Sequence, residues 1–145
     1  MQRQTTLVKP AELNRTWYVV DAAGQQPGRL ATQVAQILMG KHKPTFTPNI
    51  DTGDYVIIIN AKQLEYTGDK LDQKNYYNVS GYLGGLRTRP ARLMKEKYTR
   101  EWVERIVWGM IPKGPLGRQM IKKLFVYEGA EHPHAAQKPV ALEIK

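Results

Sequence analysis

The apolar and polar positions in the first half of the chain predict a strand, a helix and a second strand, in that order. The segment "TWYVVDA" (residues 16–22) is rich in β-forming residues, and "DYVIIINA" (residues 54–61) is an apolar run typical of a strand covered on both faces. Between them, "RLATQVAQILM" (residues 29–39) places its apolar side chains on one helical face, and Gly40 is suited to end that helix. This order favours an α/β domain with a right-handed crossover.

The second half of the chain predicts two more helices and a further strand. "TREWVERIVWGMI" (residues 99–111) has the spacing of an amphipathic helix, and Pro112 ends it. Pro115 is well placed to begin a third helix, which leads into the short strand "FVYEG" (residues 125–129). Residues 62–85 predict a short strand at their start, near residue 63, a turn at Gly68-Asp69, another strand near Tyr76–Val79 and a glycine-rich loop.

The length and composition of the chain agree with one folded domain. The chain has 145 residues, of which 41% are hydrophobic, and this is enough to bury a core. We therefore predict a single α/β domain over residues 16–130. A polar N-terminal extension over residues 1–15 precedes it, and an extended C-terminal tail over residues 131–145 follows it.

The positive net charge of the chain indicates which kind of partner it binds. The formal net charge is +9, and residues 87–123 contain eleven Lys or Arg against three Asp or Glu. A protein this basic usually binds an anion, above all a nucleic acid.

The cysteine content and the apolar runs bear on location in the cell. The chain has no cysteine, no apolar signal core and no apolar run long enough to cross a membrane, so we expect a cytoplasmic protein.

The stretch "GMIPKGPLGRQMIKKL" has the features of a phosphate-binding loop and helix. If the third helix runs through this stretch, Arg118, Lys122 and Lys123 lie away from its apolar face. Lys113 and Gly114 precede the helix, and the free N–H groups and dipole of a helix N-terminus favour an anion. An ordinary solvated face is the alternative, but the concentration of charge in this region favours contact with a polyanion.

Neither of the common nucleotide-binding loops fits the sequence. A P-loop needs lysine and a hydroxyl residue after its last glycine, whereas Gly117 is followed by Arg118 and Gln119. "DAAGQQPGRLA" has a G-x-x-x-G spacing and not G-x-G-x-x-G, so tight packing of strand against helix accounts for its glycines. Arg29, in the first turn of the predicted helix, is still within reach of a phosphate.

Two further basic stretches are candidates for nucleic-acid contact. "KHK" (residues 41–43) directly follows the first helix, where cations suit either the helix dipole or a phosphate. "GYLGGLRTRPARLMK" (residues 81–95) combines glycines, a tyrosine and arginines, a combination frequent at RNA contacts.

Other conspicuous residues carry weaker signals. Trp108 falls off the apolar face of the second helix, so it is either covered by a neighbouring segment or used on a partner. His132 and His134 have the spacing of a metal-binding pair, but no third ligand accompanies them in sequence. No arrangement typical of nucleophilic or acid–base catalysis is present. We therefore predict no enzymatic activity, no metal site, no cofactor and no small-molecule substrate.

Several of these motifs together resemble a known family. "TWYVVDA", "GRLAT", "GKHKPTFTPNIDTGDYVIIINA", "TGDK", "GMIPKGPLGRQMIKKLFVYEG" and "EHPHAAQKP" are similar, in this order, to the bacterial large-subunit ribosomal protein numbered thirteen. The resemblance runs from about residue 16 to the C-terminus. It implies a three-layer α/β/α fold with a four-stranded, largely parallel sheet. In that family a basic residue usually stands where this chain has Trp108.

The resemblance also implies a function. It implies a structural constituent of the large ribosomal subunit that binds 23S rRNA, helps early subunit assembly and lies beside other large-subunit proteins. The alternatives are an enzyme acting on nucleotides or RNA, and a DNA- or RNA-binding module outside the ribosome. The predicted RNA-binding residues are Arg29, Lys41, His42, Lys43, Arg87, Arg89, Arg92, Arg105, Lys113, Gly114, Gly117, Arg118, Lys122 and Lys123.

Overall fold

A four-stranded parallel sheet is the centre of the computed structural model, which describes residues 8–143. The strands, in chain order, are β1 (Trp17–Asp21), β2 (Tyr55–Ile59), β3 (Asn75–Val79), β4 (Leu86–Pro90), β5 (Leu124–Val126) and β6 (Val140–Ala141). The main sheet has the order β5-β2-β1-β6, and every neighbouring pair in it is parallel. The predicted α/β fold with a four-stranded sheet is confirmed.

Five α-helices accompany the strands in the described part of the chain. They are α1 (Pro27–Met39), α2 (Lys70–Gln73), α3 (Ala91–Lys97), α4 (Thr99–Met110) and α5 (Pro115–Ile121). Gly40 ends α1 with a φ of 81°, in the left-handed region that favours glycine. Pro115 occupies the first turn of α5, as its fixed φ predicts. Among residues 8–143, no helix has the length and apolar character that a membrane span requires.

One face of the sheet carries the main hydrophobic core. Because successive side chains of a strand point to opposite faces, Val20, Val56 and Ile58 lie on the same face of the sheet. Helices α1 and α4 pack over this face. Trp102, on α4, is the largest side chain that is completely buried there. Burial of this apolar area is the main force that holds the helices on the sheet.

The other face of the sheet is aromatic. Trp17 stacks on Tyr55 with ring centroids 4.3 Å apart, and Phe125 lies 5.5 Å from Trp17. The ring of His134, from the C-terminal segment, lies 4.6 Å from Phe125. That segment then supplies β6, which pairs with β1. The region predicted as an extended tail therefore includes an edge strand, which at two residues is too short to give a sequence pattern.

A β-hairpin formed by β3 and β4 lies outside the main sheet. Tyr76 anchors it to the body, because the Tyr76 hydroxyl accepts a hydrogen bond from Trp102 Nε1 at 3.0 Å and lies 2.9 Å from the Tyr66 hydroxyl. The short strand predicted near residue 63 is wrong. A 3-10 helix occupies Ala61–Gln63, because Asn60 adopts a left-handed φ of 57° and turns the chain out of β2.

Candidate nucleic-acid interface

The loop between α4 and α5 is held by close packing of backbone. Gly114 has a φ of 119°, a conformation that favours glycine, and its carbonyl accepts a hydrogen bond from the Arg118 N–H at 3.2 Å. Gly117 is buried, and a Cβ placed on it would lie only 1.9 Å from the carbonyl oxygen of Pro112. Gly117 therefore serves the packing of α5 against the loop, whereas Gly114 lies at the surface side of the turn.

Five of the predicted RNA-binding cations are exposed and have no protein partner within residues 8–143. Two of them, Arg118 and Lys122, lie on α5 and at its C-terminal end. Arg29 lies at the start of α1, Lys41 follows its end, and Arg87 lies on β4. The complete set is Arg29, Lys41, Arg87, Arg118 and Lys122. Their charges remain available to an anion outside the chain.

Lys123 corrects the sequence-based prediction. Because α5 ends at Ile121, the chain leaves the helical path before Lys123 and turns its side chain inward. Lys123 is 3% exposed, and its Nζ lies 2.5 Å from Asp51 Oδ1 and 2.9 Å from the Leu38 carbonyl oxygen. Burial lowers the pKa of Lys123, against the raising effect of the carboxylate of Asp51. This lysine is a structural ion-pair partner and not a surface cation.

His42 and Lys43 also point toward a buried carboxylate. Asp54 is completely buried, with its Oδ2 2.8 Å from His42 Nε2 and its Oδ1 2.5 Å from Lys43 Nζ. The backbone N–H of Thr16 donates to the same Oδ1 at 2.8 Å. The two side chains thus fasten the loop after α1 to the start of β2. Lys41, the third member of this basic stretch, stays exposed.

Two arginines near the hairpin, Arg89 and Arg105, are paired with acidic, amide or aromatic groups. The Arg89 guanidinium lies 4.5 Å above the ring of Tyr98 and 3.4 Å from Glu101 Oε2. Arg105 lies 3.3 Å from Glu101 Oε1 and donates to the side-chain oxygen of Asn78. These pairs fix the hairpin against α4.

Arg92 is paired in a different way. Its guanidinium lies 2.7 Å from Asp72, but both side chains are more than half exposed. An exposed pair of this kind contributes little stability, so the guanidinium can exchange its carboxylate for a phosphate at small cost.

Lys113 and Trp108 form a contact that the sequence did not indicate. The Lys113 ammonium lies 4.3 Å above the Trp108 ring and donates to the Trp108 carbonyl. Trp108 is half-buried and lines an open groove of about 290 Å³ together with Glu104, Arg118 and Ile121. The tryptophan is thus covered in part by a neighbouring segment, while the groove leaves it accessible to a partner.

Several exposed lysines were absent from the predicted set, and two of them are of interest here. Lys97, at the end of α3, and Lys138, in the left-handed turn before β6, have no protein partner within the described residues. Lys97 lies inside the basic region 87–123, so the local charge density was the signal for it. The Nε2 of His134 lies 2.8 Å from the Tyr127 hydroxyl, and the His134 ring packs on the aromatic face of the sheet.

Comparison with known proteins gives one consistent family. A family model described as "Ribosomal protein L13" matches residues 15–133. "Large ribosomal subunit protein uL13" of Geobacillus kaustophilus (strain HTA426) is 58% identical over 143 residues, which cover 99% of each chain. The protein of the same name from Thermotoga maritima is 55% identical over 146 aligned positions, covering 98% of this chain and 95% of the relative. These alignments extend into the N-terminal extension, which the resemblance had left outside.

Proposed function

The chain belongs to the ribosomal protein L13 family, and on this premise we propose that it binds 23S rRNA as a structural constituent of the large ribosomal subunit. It is a ribosomal protein that serves translation, from a family that is structural rather than catalytic. Binding to rRNA at particular residues, a contribution to early assembly and contact with neighbouring large-subunit proteins are the finer parts of the proposal.

The observation that carries the proposal is the set of exposed cations without protein partners. Arg118 and Lys122 project from α5, beside the loop that presents Lys113. Each phosphate that such a cation neutralises releases a condensed counterion, so affinity comes mainly from the number of phosphate contacts. Arg29, Lys41 and Arg87 extend this surface to other elements and would bind other RNA segments. Recognition would follow the folded shape of the RNA, because side chains cannot read the deep major groove of an A-form helix.

The basic side chains that are paired within the protein have a different part in this proposal. His42, Lys43 and Lys123 hold the loops that carry the exposed cations, and they do so through Asp51 and Asp54. Arg89 and Arg105 hold the hairpin in the same manner through Glu101. A surface fixed before binding loses less conformational entropy when it meets RNA.

Sedimentation of a cell extract tests the ribosomal role directly. We expect the chain to sediment stoichiometrically with the large subunit in high salt. We also expect to find it in the cytoplasmic fraction. A chain that stays in the supernatant would refute the proposal. An early role in assembly predicts that the chain is also present on precursors of the large subunit that are still incomplete.

Binding to purified 23S rRNA tests the electrostatic part. The logarithm of the binding constant is expected to fall linearly with the logarithm of salt concentration, with a slope that grows with the number of phosphates neutralised. Binding that stays unchanged between low and high salt would contradict the proposed contacts. Equal affinity for duplex DNA of the same length would instead favour a nucleic-acid-binding module outside the ribosome.

A further inference from the structure

The hairpin of β3 and β4 has two faces of opposite character. Side chains alternate along a strand, so Tyr76 and Asn78 share one face with their cross-strand partners Arg89 and Arg87. This inner face is attached to the body of the protein, since Tyr76 contacts Trp102 and both Asn78 and Arg89 contact side chains of α4. The two charges of the strands, Arg89 and Arg87, lie on this inner side, where Arg89 is paired and Arg87 is exposed.

The outer face of the hairpin is uncharged and exposed. It carries the cross-strand pairs Tyr77–Thr88 and Val79–Leu86. Tyr77 is 60% exposed, Val79 71% and Leu86 59%, and the tip of the hairpin adds Tyr82, at 84%. Large apolar side chains grouped in this way on a soluble domain mark an interaction surface, because scattered single residues are the ordinary case.

The chemistry of this face points to polypeptide and not to RNA. RNA contacts draw on cations for phosphates and on aromatic rings for bases. The outer face offers no cation for a phosphate. Its two rings, Tyr77 and Tyr82, stand beside the exposed aliphatic side chains of Val79 and Leu86, which cannot stack on a base as a ring does. An uncharged aliphatic and aromatic patch is, in contrast, the usual composition of the centre of a protein–protein interface.

We propose that the outer face of the β3–β4 hairpin, centred on Val79 and Leu86, docks an apolar, uncharged segment of another protein of the large subunit. This inference rests on the proposed function and deepens it, because it divides the surface of the chain between two kinds of partner. The exposed cations of α5 meet rRNA, and the outer face of the hairpin meets protein.

The hairpin is prepared for docking by its rigid attachment. At its tip the Ser80 N–H donates to the Gly85 carbonyl at 3.2 Å, and the Gly85 N–H donates to the Tyr82 carbonyl at 3.0 Å. At its base the Tyr76 hydroxyl is bound between two aromatic side chains of the body. A hairpin that is anchored at its base and closed by hydrogen bonds at its tip loses little conformational entropy on binding.

Site-directed photo-cross-linking in assembled large subunits tests the proposal. The full chain would carry p-benzoylphenylalanine in place of Val79, and in a matched control in place of Lys122. We expect the probe at position 79 to give a cross-link to one other large-subunit protein and the probe at position 122 to give a cross-link to 23S rRNA. A cross-link from position 79 to rRNA or to a second copy of this chain would overturn the inference, as would the absence of any cross-link.

A double variant, Val79→Ser with Leu86→Ser, gives an independent measurement. Both side chains are exposed, so the variant is expected to keep the wild-type Tm and the wild-type affinity for protein-free 23S rRNA. In competition with the wild-type chain during reconstitution with the full set of large-subunit proteins, it is expected to be incorporated about tenfold less.

The outcomes of this competition separate the inference from the proposed function. Loss of affinity for protein-free rRNA in the double variant would overturn the inference, because the face would then be an RNA contact. Equal incorporation of the two chains in reconstitution would also overturn it. Failure of the wild-type chain itself to enter large subunits would refute the proposed function, and the inference with it.

Discussion

Two consecutive lysines, Lys122 and Lys123, are expected to respond to substitution in opposite ways. Lys123→Ala removes the buried partner of Asp51 and leaves that carboxylate with only the more distant, partly exposed Arg15. Such a change costs about 3–5 kcal/mol in general. Arg15 lies 3.6 Å from the other oxygen of Asp51 and remains, so we expect the lower end, about 3 kcal/mol. For a chain of this size that corresponds to a fall in Tm of about 10 °C.

Lys122→Ala is the matched comparison, because Lys122 is exposed at the end of α5. We expect its unfolding free energy to change by less than about 0.5 kcal/mol. Its affinity for 23S rRNA should fall, and the slope of binding against salt should decrease in size by about one. Lys123→Ala, measured well below its Tm, should keep the wild-type salt slope.

Thermal unfolding followed by circular dichroism and filter binding over a series of salt concentrations measure both effects. The reasoning is refuted if Lys123→Ala leaves Tm unchanged and lowers the salt slope, because Lys123 would then be a surface cation. Lys123→Met serves as a further control. It restores apolar packing around Asp51 without a charge, so it should be as destabilising as alanine if the ion pair is what matters.

Other substitutions test the packing, the hairpin anchor and the groove. Gly117→Ala is expected to lower Tm, because the new Cβ would lie 1.9 Å from a carbonyl oxygen of the preceding loop. Gly109→Ala, within α4 and in open space, should raise Tm by about 3 °C. Tyr76→Phe is expected to cost about 1 kcal/mol in urea unfolding, since Trp102 Nε1 loses its best acceptor. Burial raises the pKa of Tyr76, so wild-type stability should fall as pH rises above about 10, and Tyr76→Phe should lessen that fall. Trp108→Ala should weaken RNA binding more than it lowers Tm, and a large loss of Tm with unchanged binding would contradict a role on the partner.

The sequence was sufficient for the elements whose pattern is long and regular. The apolar run of β2, the single apolar face of α1 and the proline that stops α4 each depend on nearby residues alone. The order of these elements was enough for an α/β fold with a parallel sheet. The two-residue strand β6 was missed, because its formation depends on pairing with β1, more than one hundred residues away in the chain.

The residues of the predicted interface divide in the same way, into those that depend on nearby residues and those that depend on distant ones. Arg118 and Lys122 are exposed as helical spacing indicated, whereas extending the same helical pattern past Ile121 wrongly placed Lys123 on the surface. His42 and Lys43 look like free cations in the sequence, where nothing nearby indicates that Asp54 will be buried between them.

The sequence by itself determined the family, the sign and concentration of the charge, and the order of helices and strands. These properties are carried by residue identity and by contacts between neighbours in the chain. Only the tertiary structure decided which lysines face solvent and which hold buried carboxylates, and which face of the hairpin is free of charge. Those properties depend on partners distant in sequence, since the cost of burying a carboxylate such as Asp51 is met by whichever cation the fold brings beside it.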